Sequence, residues 1–260
     1  MNTDNVPGGT IVIAGKVVSR LGLGTMRLTG PGCWGPPPTP STAVRVLRDA
    51  VAIHGITHID TADAYGPAIA EDLVRQALHP FPPEVLIATK VGMIRPGPNV
   101  WRPLGRPHYL RAAVEASLRR LGVDTLDLCY LHRIDPVIPL SEQVGALADM
   151  VAEGKVRRVG LSKVTPAQVV EAMDAVTVAA VQNCLNINEP DDPALAFCAE
   201  HDIPYIPYRP LNIGAIAPKT ALTWLLGLGR HVAPIPGTAK PDHLRELVAS
   251  AHVAGEKQAL

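Results

Sequence analysis

This chain of 260 residues holds only four cysteines, and no two of them form a Cys-x-x-Cys pair or stand at metal-ligand spacing. Cys33, Cys129, Cys184 and Cys198 therefore read as reduced thiols, and no metal site is expected. Cys129, inside the apolar run from Leu126 to Leu131, reads as a core residue, and Cys33, in a loop rich in glycine and proline, is the cysteine expected to be exposed. An excess of one charge is also missing. The 24 basic and 24 acidic residues cancel, so no basic stripe speaks for nucleic acid and no acidic tail for a cationic partner. No run approaches the roughly 18 apolar residues of a membrane span. The start, Met1-Asn2-Thr3-Asp4-Asn5, lacks the basic-then-apolar order of a secretion signal, so a cytoplasmic protein is expected. What is present is apolar weight: 47% of residues are apolar and 18% charged, enough for a large core and too apolar for a disordered chain.

Short β-branched or leucine-rich runs alternate with longer helical patterns from Leu21 onward, the signature of a parallel sheet wrapped in helices. Strands are expected near Leu21 to Gly24, His58 to Asp60, Leu86 to Lys90, Leu126 to Leu131, Val156 to Leu161, Ala179 to Gln182, Tyr205 to Tyr208 and Val232 to Ile235. Eight such units close a barrel, so the expected fold is α/β, a (β/α)8 TIM barrel forming one domain over residues 1–260. Ahead of them, Thr10 to Ile13 and Val17 to Ser19 flank Ala14-Gly15-Lys16 and read as a β-hairpin. Ser41-Thr42 can cap a helix through Ala52, Thr165-Pro166 opens another, and Asp242 to His252 closes the series. The proline-rich stretch Gly30 to Pro40 follows the first strand and is read as a loop at the mouth of the barrel, not as a linker.

Polar residues gather at the ends of these strands. Asp60-Thr61-Ala62-Asp63-Ala64-Tyr65-Gly66 follows one strand, and Lys90 and His132 stand at the ends of two more. A phenol has an unperturbed pKa of about 10, which a nearby ammonium lowers. Tyr65 beside Lys90 can then pass a proton, with Asp60 holding Lys90 charged and His132 donating a hydrogen bond to a carbonyl oxygen. That set of four is suited to protonating an oxyanion. Asp63, one turn from Asp60, reads as structural. Gly237-Thr238, a glycine turn ahead of a helix, can present backbone N–H groups to a phosphate, with Lys240, His243 and Arg245 adding charge.

Taken in order, Leu21-Gly22-Leu23-Gly24-Thr25-Met26, the Asp60 to Gly66 run, Ala88-Thr89-Lys90, Leu131-His132, Gly160-Leu161-Ser162, Val181-Gln182-Asn183, Pro207-Tyr208-Arg209-Pro210-Leu211 and Ile235-Pro236-Gly237-Thr238 resemble the aldo-keto reductases. The run Met26-Arg27-Leu28-Thr29-Gly30-Pro31-Gly32, with Trp34-Gly35-Pro36-Pro37, is similar to their bacterial pyridoxal-reductase-like branch. The resemblance implies NADPH-dependent reduction of a small aldehyde or ketone, with Asp60, Tyr65, Lys90 and His132 as the catalytic set and the hairpin plugging the barrel floor. It implies that Ser162 and Gln182 hold the nicotinamide carboxamide and that Tyr208 stacks on the ring. Gly24, Thr25, Met26, Asp60, Pro210, Leu211, Gly237 and Thr238 then complete the cofactor site. Lys240 and His243 lie near the adenosine 2′-phosphate, favouring NADP over NAD, while Arg245 sits one helical step off. The substrate pocket falls to Met26, Trp34, Tyr65, Trp101 and His132, with Tyr109 beside them, and the tryptophans favour a flat aromatic substrate. A monomer or weak homo-oligomer is implied.

Two departures qualify the resemblance. Lys163 stands where relatives have asparagine after Gly-Leu-Ser, bringing a charge and no acceptor. Between Leu211 and Ala221 the chain lacks the longer segment and extra helix that strap the cofactor in relatives. The alternative reading keeps the barrel and assigns the four residues to a non-redox acid/base reaction, cyclisation or dehydration, or makes the cofactor a sensed ligand.

Overall fold

The computed structural model describes residues 6–256. In chain order the elements are β1 (Thr10–Ile13), β2 (Lys16–Ser19), β3 (Leu23–Gly24), α1 (Pro40–Ala52), β4 (His58–Asp60), α2 (Ile69–Leu78), β5 (Leu86–Val91), β6 (Met93–Gly97), β7 (Val100–Pro103), α3 (Pro107–Leu121), β8 (Leu128–Leu131), α4 (Leu140–Ala152), β9 (Val159–Ser162), α5 (Pro166–Met173), β10 (Val178–Gln182), α6 (Pro193–Glu200), α7 (Pro218–Gly227) and α8 (Pro241–Glu256). Proline opens α1, α3, α5, α6, α7 and α8. At that position its missing N–H is no loss and its fixed φ suits the helix. The start expected at Ser41-Thr42 falls instead at Pro40 behind Thr39, whose side chain makes no capping bond. Thr165 does cap α5, in a reciprocal box with Gln168.

Six strands pair in parallel in the order β10-β9-β8-β5-β4-β3. The last two expected strands do not form continuous ladders. Tyr205 bridges Val181 on one side and Val232 on the other, and Gly237 bridges Gly24, so the ring of eight segments closes through single bridges. The cause is proline: Pro204, Pro207, Pro234 and Pro236 have no N–H to donate, and the bonds that remain come from Tyr205, Ile206, Tyr208, Ala233 and Ile235 between them. Outside the ring, α8 packs against both α7 and α1.

Side chains alternate across each strand, which splits the apolar residues into two layers. Ile59, Ile87, Val91, Cys129, Leu131, Leu161 and Val181 face outward into the core beneath the helices. Leu86, Ala88, Leu128, Tyr130, Ala180, Ile206, Ala233 and Ile235 fill the barrel interior together with Ile13 and Val18 of the β1–β2 hairpin, which thus plugs the floor. Lys16 pins that plug by donating to Val85 O (2.9 Å) and Asp127 (2.7 Å), and Ser19 and Thr57 exchange hydrogen bonds of 2.8 and 2.9 Å. Gly160 is needed in β9 because a Cβ there would lie 2.4 Å from the Tyr130 ring.

An antiparallel β6–β7 hairpin, which is not among the strands expected from the sequence, rises after β5 and carries Trp101. Pro98-Asn99 forms its turn, with Asn99 in the left-handed region at φ 57°. No helix among the described residues is long and apolar enough to cross a membrane.

Candidate active site

The inward alternation that places Ala88 in the barrel also places Lys90, two residues on, at its upper rim. Asp60, His132, Ser162 and Gln182 reach the same rim from the ends of β4, β8, β9 and β10. Asp60 and Lys90 are 1% and 0% exposed, and Tyr65 and His132 are also buried. The Lys90 ammonium donates to Asp60 Oδ1 at 2.5 Å and to Thr61 O at 2.8 Å. Asp60 Oδ2 accepts from Gln182 Nε2 at 2.8 Å, across the barrel. Both carboxylate oxygens are therefore fixed, and a buried charge pair is tolerable only when bound in this way. The Tyr65 ring lies 5.0 Å from the ammonium and edge-on to His132, centroids 5.8 Å apart.

Burial pushes the Tyr65 phenol up, and Lys90, which pulls it down, does not overcome that; the lowered phenol expected from the sequence is corrected in direction. Burial works against the Lys90 ammonium, yet Asp60 and the phenol outweigh it and leave the lysine above its usual range. His132 is held far below the usual imidazole range by burial, then by Lys90, Arg133 and Arg95, so the ring is uncharged at neutral pH. Its Nδ1 is buried without a partner. Asp63 stands apart: burial and Glu71 drive its carboxyl well up. Glu71 in turn accepts from Thr89 (2.6 Å) and Arg120 (2.5 Å) in the helix layer.

One arginine ties the mouth together. Arg95 of β6 donates to Gly32 O (2.8 Å) and to Cys33 O, Ala64 O and Val100 O (2.9 Å each). It thereby joins the proline-rich loop, the Tyr65 loop and β7, and its guanidinium lies 3.6 Å from the Trp101 ring centre. Trp101 meets Tyr65 and His132 edge-on, each at 6.3 Å between centroids. The loop expected at the mouth is there: Gly35 donates to Gly66 O at 2.8 Å, beside Tyr65. Met26 and Trp34 are exposed at 37% and 36%. Tyr109 is not in the pocket. It packs from α3 against the outer core with its hydroxyl 3.4 Å from Met93 O. Cys33 is half-buried, as Cys184 is, while Cys129 and Cys198 are buried.

Across the rim from Trp101, Arg133 donates to His132 O (2.6 Å) and Ser162 Oγ (2.9 Å), with its guanidinium carbon 5.4 Å from the Tyr208 ring centre. Lys163 is exposed and left-handed at φ 57°, a conformation asparagine adopts more readily than lysine. Gly24 and Gly237 lie where backbones touch, a Cβ on either falling 2.9 Å from a carbonyl oxygen. Thr25 Oγ1 is buried and unpartnered. Thr238 is buried and accepts from Lys240 N at 3.0 Å, Lys240 is exposed, His243 is half-buried, and Arg245 pairs with Asp242 at the surface. The shortened segment after Pro210 and Leu211 is a single 3-10 turn, Asn212–Gly214, touched by Arg27 through Ile213 O at 3.4 Å. Sequence reasoning missed Arg95, Arg133 and the bond from Gln182 to Asp60. Arg133 adjoins His132, and Arg95 precedes the Pro-Gly-Pro-Asn turn; those were the available signals.

The chain is similar to known proteins over nearly its whole length. Residues 20–221 match the model of the aldo/keto reductase family. An uncharacterized oxidoreductase of Schizosaccharomyces pombe is 41% identical over 96% of this chain and 87% of its own length. Pyridoxine 4-dehydrogenase of Escherichia coli is 38% identical over 93% of this chain and 92% of its own. Among solved structures, an aldo-keto reductase from Klebsiella pneumoniae in complex with NADPH superposes with a TM-score of 0.75 at 28% identity, covering 96% of this chain and 92% of that one. Glycerol dehydrogenase from Gluconobacter oxydans reaches 0.83 at 25% identity, covering 100% of this chain and 96% of that one. The chain belongs to the aldo/keto reductase family.

Proposed function

We propose that this chain catalyses NADPH-dependent reduction of an aldehyde or ketone to an alcohol, with Tyr65 as proton donor. The observation that carries the reading is the buried Lys90–Asp60 pair beside the Tyr65 ring, with uncharged His132 edge-on to it. Reduction requires a proton at the carbonyl oxygen as negative charge develops there. A phenol kept protonated at neutral pH is in the state that can give one, and Lys90 stabilises the phenolate left behind. Neutral His132 adds an N–H for the same oxygen without competing for its proton. Gln182 and Asp60 keep the ammonium in place throughout.

The rim fits a nicotinamide nucleotide. Ser162 accepts from Arg133, which leaves its own proton for a carboxamide oxygen. Gln182 spends its amide nitrogen on Asp60 and keeps its carbonyl oxygen for a carboxamide N–H. Half-buried Tyr208 offers a flat face and Thr25 an unpartnered hydroxyl, and Gly24, Met26, Pro210 and Leu211 would border the bound nucleotide. Gly237, Thr238, Lys240 and His243 would hold phosphate, and the NADPH-bound relative supports that choice of cofactor. When bound, the reduced nicotinamide supplies the hydride for the carbonyl carbon. Trp34, Trp101 and the relationship to pyridoxine 4-dehydrogenase support a flat aromatic carbonyl compound as substrate.

The test is Tyr65→Phe. Hydride transfer in a single turnover should fall by roughly 10²–10⁴, the usual worth of a positioned general acid, while NADPH affinity stays within about twofold. An unchanged rate removes Tyr65 from the reaction, and a parent protein that binds no NADPH near millimolar concentration removes the reductase reading itself.

A further inference from the structure

Arg133 stands where the catalytic and cofactor halves of the rim meet. Its guanidinium is held by the His132 carbonyl and the Ser162 hydroxyl and lies 5.4 Å from the centre of the Tyr208 ring. Neither partner is an acid, and among the described residues Arg133 makes no ion pair, so its full positive charge is left at this point. Resting on the reading that Ser162 and Tyr208 hold the nicotinamide, we propose that Arg133 makes the site bind the reduced cofactor more tightly than the oxidised one.

The physical reason is a difference in charge between the two forms of the ring. Oxidised nicotinamide is a cation and the reduced dihydropyridine is neutral, so a fixed cation beside the Tyr208 face that would carry the ring would destabilise the first and not the second. The half-buried setting weakens solvent screening without removing it. Arg133 also acts as a positioning residue. Donating to Ser162 Oγ occupies that lone pair and turns the hydroxyl proton outward, the orientation a carboxamide oxygen requires in either redox state. The two effects separate cleanly. Orientation of Ser162 favours both forms alike, whereas the charge favours one.

The test compares Kd for NADPH, by fluorescence titration, with Kd for NADP+, by competition, in the parent, Arg133→Met and Arg133→Lys proteins. Thermal melting checks that each is folded. Methionine keeps length and removes charge; the ratio Kd(NADP+)/Kd(NADPH) should fall about tenfold, which is about 1.4 kcal/mol. Lysine keeps the charge without the planar fork, and the ratio should stay near that of the parent even if both affinities weaken. An unchanged ratio in Arg133→Met overturns the proposal. So does an equal tightening of both forms, which would show the arginine occupying the nicotinamide position and obstructing it. A parent that binds neither nucleotide fails at the underlying reading, a result distinct from either.

Discussion

Replacing Arg95 by methionine should damage stability and turnover together. The guanidinium serves four backbone carbonyls at 2.8–2.9 Å and covers the face of Trp101. Gly32 O and Cys33 O belong to a half-buried loop that water can reach, so their loss is largely compensated. Ala64 O is different, because Ala64 is 2% exposed, and an abandoned buried acceptor costs about 1–3 kcal/mol. The contact with Trp101 adds about 0.5–2 kcal/mol. Relief from burying a cation that has no carboxylate partner offsets part of this, leaving a net loss of about 2–4 kcal/mol. At about 2–4 °C per kcal/mol for a chain of this size, the melting temperature falls by roughly 4–16 °C. If Tyr65 is the proton donor, turnover should fall further than stability implies, since Ala64 precedes it and a donor misplaced by about 1 Å can cost ~10²-fold. Calorimetry and single-turnover hydride transfer read the two effects, and intrinsic fluorescence reports release of Trp101. Arg95→Lys should recover little, because an ammonium cannot span four acceptors in one plane. A methionine variant that melts within about 0.5 kcal/mol of the parent and reacts at the same rate would refute the reasoning.

Replacing Lys240 and His243 together by alanine should weaken NADPH by about 1–3 kcal/mol and leave NADH nearly unchanged, as expected for lost charged hydrogen bonds to the 2′-phosphate; equal losses for both would show that these residues do not read it. His58, buried in the barrel with both ring nitrogens unpartnered, is lowered to about 4 by burial, with Asp60 pulling up and Lys90 down. Its unfolded value is about 6.5, so its contribution to stability is complete above pH 6.5 and lost as pH falls through 4, up to about 3 kcal/mol for the 2.5-unit difference. Urea unfolding at pH 7 and 5 should therefore show a fall of about 2 kcal/mol from this group in the parent, missing from His58→Asn; parallel pH profiles would contradict the assignment.

The fold was legible where strand and helix patterns are local and illegible where proline competes with them. His58 to Asp60 and Leu86 to Lys90 come within a residue of β4 and β5, because a short apolar run that alternates inward and outward leaves few choices. Tyr205 to Tyr208 and Val232 to Ile235 carry the same apolar signal but four prolines among and beside them, so the chain follows the barrel path without its ladder. The same residue moved the start of α1 from Ser41 to Pro40. The β6–β7 hairpin escaped notice because Met93 to Pro103 shows no steady alternation; only Pro98-Asn99 marks it.

At the site, the legible residues are those whose side chains do chemistry in their own right. Asp60, Lys90 and His132 stand at or just past strand ends, where alternation turns them inward without help from the rest of the fold, and Tyr65 follows in the loop after β4. Arg95 and Arg133 act on backbone carbonyls, on a hydroxyl and on ring faces, partners that leave no mark in a sequence because every residue has a carbonyl. Gln182 presents the same difficulty in reverse. The family pattern offers its amide to a carboxamide, yet half of that amide is committed to Asp60, 122 positions away in the chain. That commitment ties the two halves of the rim to each other. On the proposed mechanism, a change at Gln182 loosens the carboxylate that holds Lys90 and should therefore alter proton transfer from Tyr65 together with cofactor binding.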